Sequence, residues 1–345
     1  MNLFDDADGS RIIINEKSLQ TDYSPPQILN RDKEINTIAS SLKTFLRSKT
    51  PQHLFVYGIP GTGKTTCANH VTTQLEEYTN AILPIYINCW QFSTSLSIYS
   101  EIAVKLRLPL PRRGLSKDEV ASRVLEILKK DKMRILLILD ELDGLVSQGM
   151  DFLYFASRCP HLCVLGISNK MNFLAQLDQR IRSSFQFQTL EFKKYSFLEL
   201  KDILTERAKN ALVAGSWNSS LMEAIAKKSA DTGDARFAIG LLLKSAQAAQ
   251  KRNSNKVEIT DVPNQLYEYK WHGLGLSENE LLVLNFLKEG EKTSTEVYDH
   301  FYSKKIELSK RRIRVYLDSL IEKQLISQKE INTGSFLKPR MFRLV

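Results

Sequence analysis

The sequence predicts an α/β core around a parallel sheet, then an all-α lid, then a small C-terminal unit of three helices and a hairpin. Three observations predict this. Apolar runs that suit buried strands alternate with helix-compatible segments from Leu54 to Ile167. Strand signals fade and helical periodicity takes over between residues 196 and 252. From Leu276 onward a new pattern starts, rich in Lys and Arg. The expected boundaries are 1–192 for the core, 193–272 for the lid and 273–345 for the basic unit.

Residues 1–24 have weak periodicity and read as an N-terminal arm, punctuated by Pro25-Pro26. From Arg31 to Leu46, Ile35, Ile38, Leu42 and Phe45 recur at helical spacing. Leu54-Phe55-Val56-Tyr57 is a strand candidate that runs into Gly58-Ile59-Pro60-Gly61-Thr62-Gly63-Lys64-Thr65, and a helix-compatible run from Thr66 to Glu77 follows. This is G-x-x-x-x-G-K-[ST] in the strand–loop–helix context that makes it a phosphate-binding loop. Its glycines permit the tight turn that points backbone N–H groups at phosphate oxygens, and the helix start adds partial positive charge. Candidate nucleotide contacts are therefore Gly58, Pro60, Gly61, Thr62, Gly63, Lys64, Thr65 and Thr66. Lys64 would reach the β- and γ-phosphates of ATP or ADP, and Thr65 would ligate Mg²⁺.

Ala81–Asn88 is a second strand candidate. Residues 95–108 read as a helix that uses Leu96, Tyr99, Ile102, Ala103 and Leu106 as its apolar face, before Pro109, Pro111 and Gly114 end it. Ser116 with Glu119 is a capping box for the next helix. Ile135–Leu139 is wholly apolar, as a central parallel strand requires, and Cys163–Ile167 is similar. The first of these strands ends in Asp140-Glu141, which places two carboxylates where α/β sheets bind ligands. Asp140 is the second expected Mg²⁺ ligand, and Glu141 the group that orients or deprotonates the attacking water.

Composition narrows the class. The 345-residue chain has 43% apolar and 25% charged residues, which fits a globular protein of two or three domains. No apolar stretch approaches membrane-spanning length, and the acidic start Met1–Asp6 lacks a signal pattern, so no membrane partner and a cytoplasmic, nucleoid-associated location are expected. Four cysteines make no disulfide framework. Cys159 and Cys163 flank His161 at a spacing wrong for zinc, so all four read as small buried residues. The net charge of +9 favours a polyanionic partner.

The order strand, lysine, strand, Asp-Glu, strand, then Gly166-Ile167-Ser168-Asn169 resembles the AAA+ ATPases. The resemblance implies that Asn169 senses the γ-phosphate or the water. It implies that Leu177–Phe185 presents an arginine finger to a neighbouring subunit, Arg180 first and Arg182 second, although Ser184 stands where relatives often carry Arg. It also implies that Arg236, in Thr232-Gly233-Asp234-Ala235-Arg236, reaches the γ-phosphate from the lid. Residues Tyr23–Glu34, the extra helical segment at 92–110 and Gly233–Arg236 further resemble archaeal origin-recognition initiators. There the segment before the phosphate loop closes over adenine, which here nominates Ile28 and Leu29. The resemblance covers nearly the whole chain in the same order.

The C-terminal unit stands on its own pattern. Leu281, Leu284, Phe286 and Leu287 mark a first helix, and Ser294–Tyr302 a second. Ser309–Lys323 is a third, with Ile313, Tyr316, Leu317, Leu320 and Ile321 inward. Leu325–Lys329 and Pro339–Leu344 form a hairpin around Asn332–Ser335. Three helices and a basic hairpin make a winged helix, whose third helix enters the major groove. Candidate DNA contacts are Lys310, Arg311, Arg312 and Arg314 on that helix and Lys338 and Arg340 on the wing, with Arg112 and Arg113 as further loop candidates.

The expected function is therefore that of an archaeal-type replication initiator. It is a slow, switch-like ATPase using Mg²⁺, which binds double-stranded origin DNA as a homo- or hetero-oligomer and helps load the MCM helicase. A clamp-loader-like ATPase shares the core but normally lacks the winged helix. A signal-responsive ATPase regulator shares both but usually continues into sensor repeats, whereas this sequence ends after the wing. A DNA-binding switch that holds ATP without turnover differs only in its chemistry.

Overall fold

The computed structural model describes residues 12–21, 23–48, 51–108, 116–130, 134–145, 147–263, 276–303, 306, 308–323, 325–330 and 340–344. The chain divides into two compact units, Met1–Pro263 and Asn264–Val345.

In the first unit five parallel strands, β1 (Leu54–Tyr57), β2 (Ile82–Asn88), β3 (Arg134–Asp140), β4 (Leu162–Ser168) and β5 (Gln188–Glu191), form one sheet in the order β2-β3-β4-β1-β5. Side chains alternate between faces because a strand has a period of two. Leu136 and Ile138 therefore join one core with α1 (Asp32–Ser48) and α2 (Lys64–Tyr78). Ile135, Leu137 and Leu139 join the opposite core, with α3 (Ser95–Lys105), α4 (Lys117–Lys130), α5 (Ser147–Ser157) and α7 (Gln179–Phe185), after the single turn α6 (Phe173–Gln176). β3 and β4 are buried almost throughout, which explains their continuous apolar sequence. The predicted capping box forms: Ser116 N–H donates to Glu119 at 2.7 Å. All four cysteines are buried, and none forms a disulfide.

The lid consists of α8 (Phe197–Ala211), α9 (Ser219–Ser229) and α10 (Ala235–Lys251). The described part of the arm docks on it. Ile13 makes a β-bridge to Leu212, Leu19 is buried, and Arg207 donates to Ser18 O at 3.0 Å and Tyr23 O at 3.2 Å.

In the second unit α11 (Glu278–Leu287), α12 (Ser294–Ser303) and α13 (Lys310–Glu322) bury Val283, Leu284, Leu287, Val297, Phe301, Ile313, Leu317 and Leu320. β7 (Ile326–Glu330) pairs antiparallel with β8 (Arg340–Leu344), and β6 (Lys292–Thr293) adds a third strand beside β8. The unit is a winged helix.

Three details differ from expectation. Leu96 is exposed, since Ile98 carries the buried stripe of α3 instead. Tyr316 and Ile321 are only partly buried, at the margin of the stripe. α5, β5 and β6 add to the predicted elements: β5 is a short, mostly exposed edge strand and β6 has two residues, so neither carries an apolar run. The turn Asn332–Ser335, Lys338, Arg112 and Arg113 lie outside the described residues.

Candidate functional site: a phosphate-loop cleft and a basic helix

The parallel sheet brings the carboxyl ends of β1, β3 and β4 side by side, with α2 starting above them. The N-cap of α2 is Gly63, at φ 91°, and no side chain caps the helix. Its first-turn amides therefore have no capping oxygen, an arrangement suited to an anion. Thr62 is fully buried and ties the loop by donating from Oγ1 to Ile59 O at 2.9 Å. The Lys64 ammonium folds back on the same loop, 2.8 Å from Gly58 O and 2.9 Å from Ile59 O. Burial first, and then the like charge of Arg236, lower its pKa to about 8, against the pull of Glu141, Asp140 and Asp143.

Asp140 is buried at the end of β3. Its Oδ2 accepts from Thr65 Oγ1 at 2.8 Å, and its Oδ1 from the Glu141 N–H at 2.8 Å. The two residues expected to ligate Mg²⁺ are thus in direct contact. Glu141 adopts a left-handed backbone, φ 52°, rare for a non-glycine residue. Its Oε2 accepts from Asn169 Nδ2 at 2.9 Å. Burial first, and then Asp140 and Asp143, raise the Glu141 pKa, while Lys64 and Arg236 oppose the shift. Asp143 accepts from Ser168 Oγ at 2.8 Å and so fixes the end of β4 that carries Asn169.

The lid closes directly on the loop. Asp234 caps α10 by accepting from Arg236 N–H at 2.7 Å, Ala235 N–H donates to Gly61 O at 3.1 Å, and Arg236 lines the same cleft. The cleft measures about 990 Å³, part of it open to solvent.

Of the predicted residues, Ile28, Leu29, Gly61, Gly63, Lys64, Thr65, Thr66, Asp140, Glu141, Asn169 and Arg236 all line this cleft. Gly58, Pro60 and Thr62 belong to the loop without lining it. Arg180 stands apart: its side chain is exposed and its Nε lies 3.3 Å from Asp178 Oδ1. Sequence reasoning missed Arg31, Tyr86, Tyr195 and Arg207. Arg31 is buried yet charged. It donates from Nε to Thr62 O at 3.1 Å and from Nη2 to Lys193 O at 2.7 Å, and its guanidinium lies 3.9 Å from the centre of the Tyr195 ring. Its local ion pair with Glu34, 3.3 Å away, looks like any helix-surface pair, and the two backbone carbonyls that hold it in the core are distant in sequence.

In the winged helix, Lys310, Arg311, Arg312 and Arg314 are exposed on α13, where Ser309 caps the start by accepting from Arg312 N–H at 3.3 Å. Arg340 is exposed on β8, 3.8 Å from Asp318. Among the described residues no three His, Cys, Asp or Glu side chains gather to hold a metal. Among them, too, no helix is long and apolar enough to cross a membrane.

Comparison with known proteins joins the two halves of this picture. Residues 47–187 match the AAA domain family, and residues 201–264 match the Cdc6 AAA+ ATPase-type lid domain. An ORC1-type DNA replication protein 1 of Archaeoglobus fulgidus is 34% identical over 274 residues, 76% of this chain and 67% of the relative. The chain belongs to the ORC1-type DNA replication protein family. The counterpart from Sulfurisphaera tokodaii is 29% identical over 360 residues, covering 97% of this chain and 90% of the relative. The Aeropyrum pernix ORC1 protein, solved in complex with DNA, superposes with a TM-score of 0.77 at 26% identity, over 97% of this chain and 94% of that one. This ORC1-type protein is therefore an AAA+ ATP-binding protein of DNA replication initiation, with the core, lid and winged helix of its family.

Proposed function

We propose that this ORC1-type protein uses ATP as a slow switch while its winged helix holds double-stranded origin DNA, and that it helps load the MCM helicase there. The observation that carries the reading is the run of exposed Lys310, Arg311, Arg312 and Arg314 on the capped third helix. A basic helix start in this position suits phosphate and major-groove contacts. Arg340, and Lys338 by sequence, would serve the wing. That the Aeropyrum pernix relative was solved with DNA supports the same role for this chain.

At the cleft, the uncapped start of α2 and Lys64 suit the phosphates of ATP, and Ile28 and Leu29 suit its base. The contact between Thr65 and Asp140 fits a magnesium site. Mg²⁺, when bound, supplies neutralisation of phosphate charge. Glu141 then orients and deprotonates the attacking water, held in place by Asn169. Its raised pKa suits a base that must take up a proton. Water adds to the γ-phosphorus, the β–γ anhydride breaks, and ADP and phosphate leave without a covalent intermediate. Arg236 balances the developing charge from the lid. The exposure of Arg180 suits delivery to a neighbouring subunit, with Arg182 second, so full activity needs an oligomer on DNA.

The test is footprinting on the protein's own genomic DNA with ATP, comparing wild type with Arg311→Ala/Arg312→Ala. Discrete protected sites near replication origins, lost in the variant, are expected. Uniform, salt-sensitive binding without preferred sites would overturn the initiator reading. A Glu141→Gln variant that consumes ATP at the wild-type rate would instead make the protein a switch that holds nucleotide without hydrolysing it.

A further inference from the structure

Asp140 has a third donor that the nucleotide-binding motifs do not supply. Tyr86 donates its phenolic O–H to Asp140 Oδ2 at 2.8 Å, the same oxygen that accepts from Thr65 at 2.8 Å. The sheet register explains the reach. Tyr86 pairs with Ile138 and Asn88 pairs with Asp140, so Tyr86 and Asp140 share one face as diagonal neighbours on adjacent strands. Only a long side chain spans that diagonal. The tyrosine is 41% exposed, so burial alone does not account for an aromatic at this position. Phenylalanine would fill the same space and leave Oδ2 with one donor. With Tyr86 present, Oδ2 has two donors, Thr65 and Tyr86, while Oδ1 accepts from the Glu141 N–H. Two donors converging on Oδ2 fix the carboxylate plane against rotation about the Cβ–Cγ bond.

We propose that Tyr86 is a positioning residue for the divalent cation. Its hydroxyl locks Asp140 in the orientation that faces Thr65, while it makes no contact with nucleotide. The proposal rests on reading the cleft as a magnesium–ATP site. It predicts a selective defect: the cation is held less well, and metal-free nucleotide binding is untouched. The loss of one hydrogen bond to a charged acceptor corresponds to about a tenfold change.

The test uses the full chain and Mn²⁺ as a paramagnetic probe, titrated in the presence of ADP and followed by electron paramagnetic resonance. Binding of a fluorescent ADP in EDTA is measured in parallel, with thermal melting as the check on folding. Tyr86→Phe is expected to need about tenfold more Mn²⁺ to saturate, with its ADP affinity in EDTA and its melting temperature near wild type. Tyr86→Gln keeps a donor but loses the ring, so it is expected to bind Mn²⁺ better than Tyr86→Phe. Unchanged Mn²⁺ affinity in Tyr86→Phe would overturn the proposal. So would a glutamine variant worse than the phenylalanine one, which would assign the role to the ring. Wild-type protein that binds ADP without any Mn²⁺ dependence would sink the magnesium-site reading itself, and the proposal with it.

Discussion

The carboxylate of Asp234 lies against the Cα of Gly61, so closely that any Cβ at Gly61 would overlap it. This is where the lid meets the phosphate loop. Gly61 also has φ 73°, a conformation that costs an L-residue strain. Gly61→Ala is therefore expected to push the lid off the loop and weaken ADP binding at least about tenfold, since Arg236 rides on the same helix. Fluorescent-ADP titration measures it. Adding Asp234→Gly removes the overlap and should recover part of the loss, though not the backbone strain at residue 61 or the few tenths of a kcal/mol by which glycine caps a helix less well than aspartate.

Arg31 ties the start of α1 to the loop at Thr62 and to the core–lid connection at Lys193. Arg31→Ala leaves the buried Thr62 carbonyl and the Lys193 carbonyl without this donor and opens a hole beside Tyr195. The expected cost is about 2–4 kcal/mol, read from the urea midpoint of the first unit. Arg31→Lys keeps the charge but not the planar fork, and should recover less than half. A cost below about 0.5 kcal/mol for either variant would refute the structural role.

Nucleotide affinity should depend on alkaline pH. Lys64 has its pKa lowered to about 8, chiefly by burial. Bound phosphate favours the ammonium form, so binding is strongest below about pH 8 and weakens as pH rises through it. For stability the sign is opposite: between about 8 and 10.5 the unfolded chain holds more protons at this lysine, so its contribution rises with pH. Titrations of ADP from pH 6.5 to 9.5 should show the loss in wild type and little slope in Lys64→Gln.

Acid should affect the two units over different ranges. His53 is buried beneath Phe185, and its Nδ1 accepts from Val164 N–H at 3.1 Å. Burial lowers its pKa from 6.5 to about 4, so the first unit loses stability as pH falls across that window. In the second unit burial would raise Glu280, but hydrogen bonds from Lys323, Ser277 and Ser319 outweigh it and hold the pKa at about 2. That contribution is present above pH 4.5 and is lost as pH falls toward about 2. Near-ultraviolet circular dichroism against pH should show His53→Phe flattening the first loss and Glu280→Gln removing the second.

Much of this molecule was legible in the sequence because its signals are local. The run from Gly58 to Thr65 needs neighbouring residues only, and Asp140-Glu141 follows an apolar strand that identifies itself. The capping pair Ser116 and Glu119 and the basic turns of α13 are likewise short-range. What escaped depends on contacts between distant segments. Tyr86 reads as an ordinary strand aromatic until the register sets it diagonal to Asp140. Arg31 reads as the charged start of a helix until the fold buries it against Thr62 and Lys193. β5 was invisible because an exposed edge strand lacks the apolar run that marked β3 and β4.

The arm's attachment to the lid also shapes the cleft. Arg207 grips Ser18 and Tyr23 and also lines the cleft, together with Thr21 and Tyr23 of the arm itself. A segment from ahead of α1 thus forms part of the cleft wall and is strapped to the lid. On the proposed reading of the cleft as a nucleotide site, release of spent nucleotide is expected to follow the opening of this strap as well as the loosening of the phosphate loop.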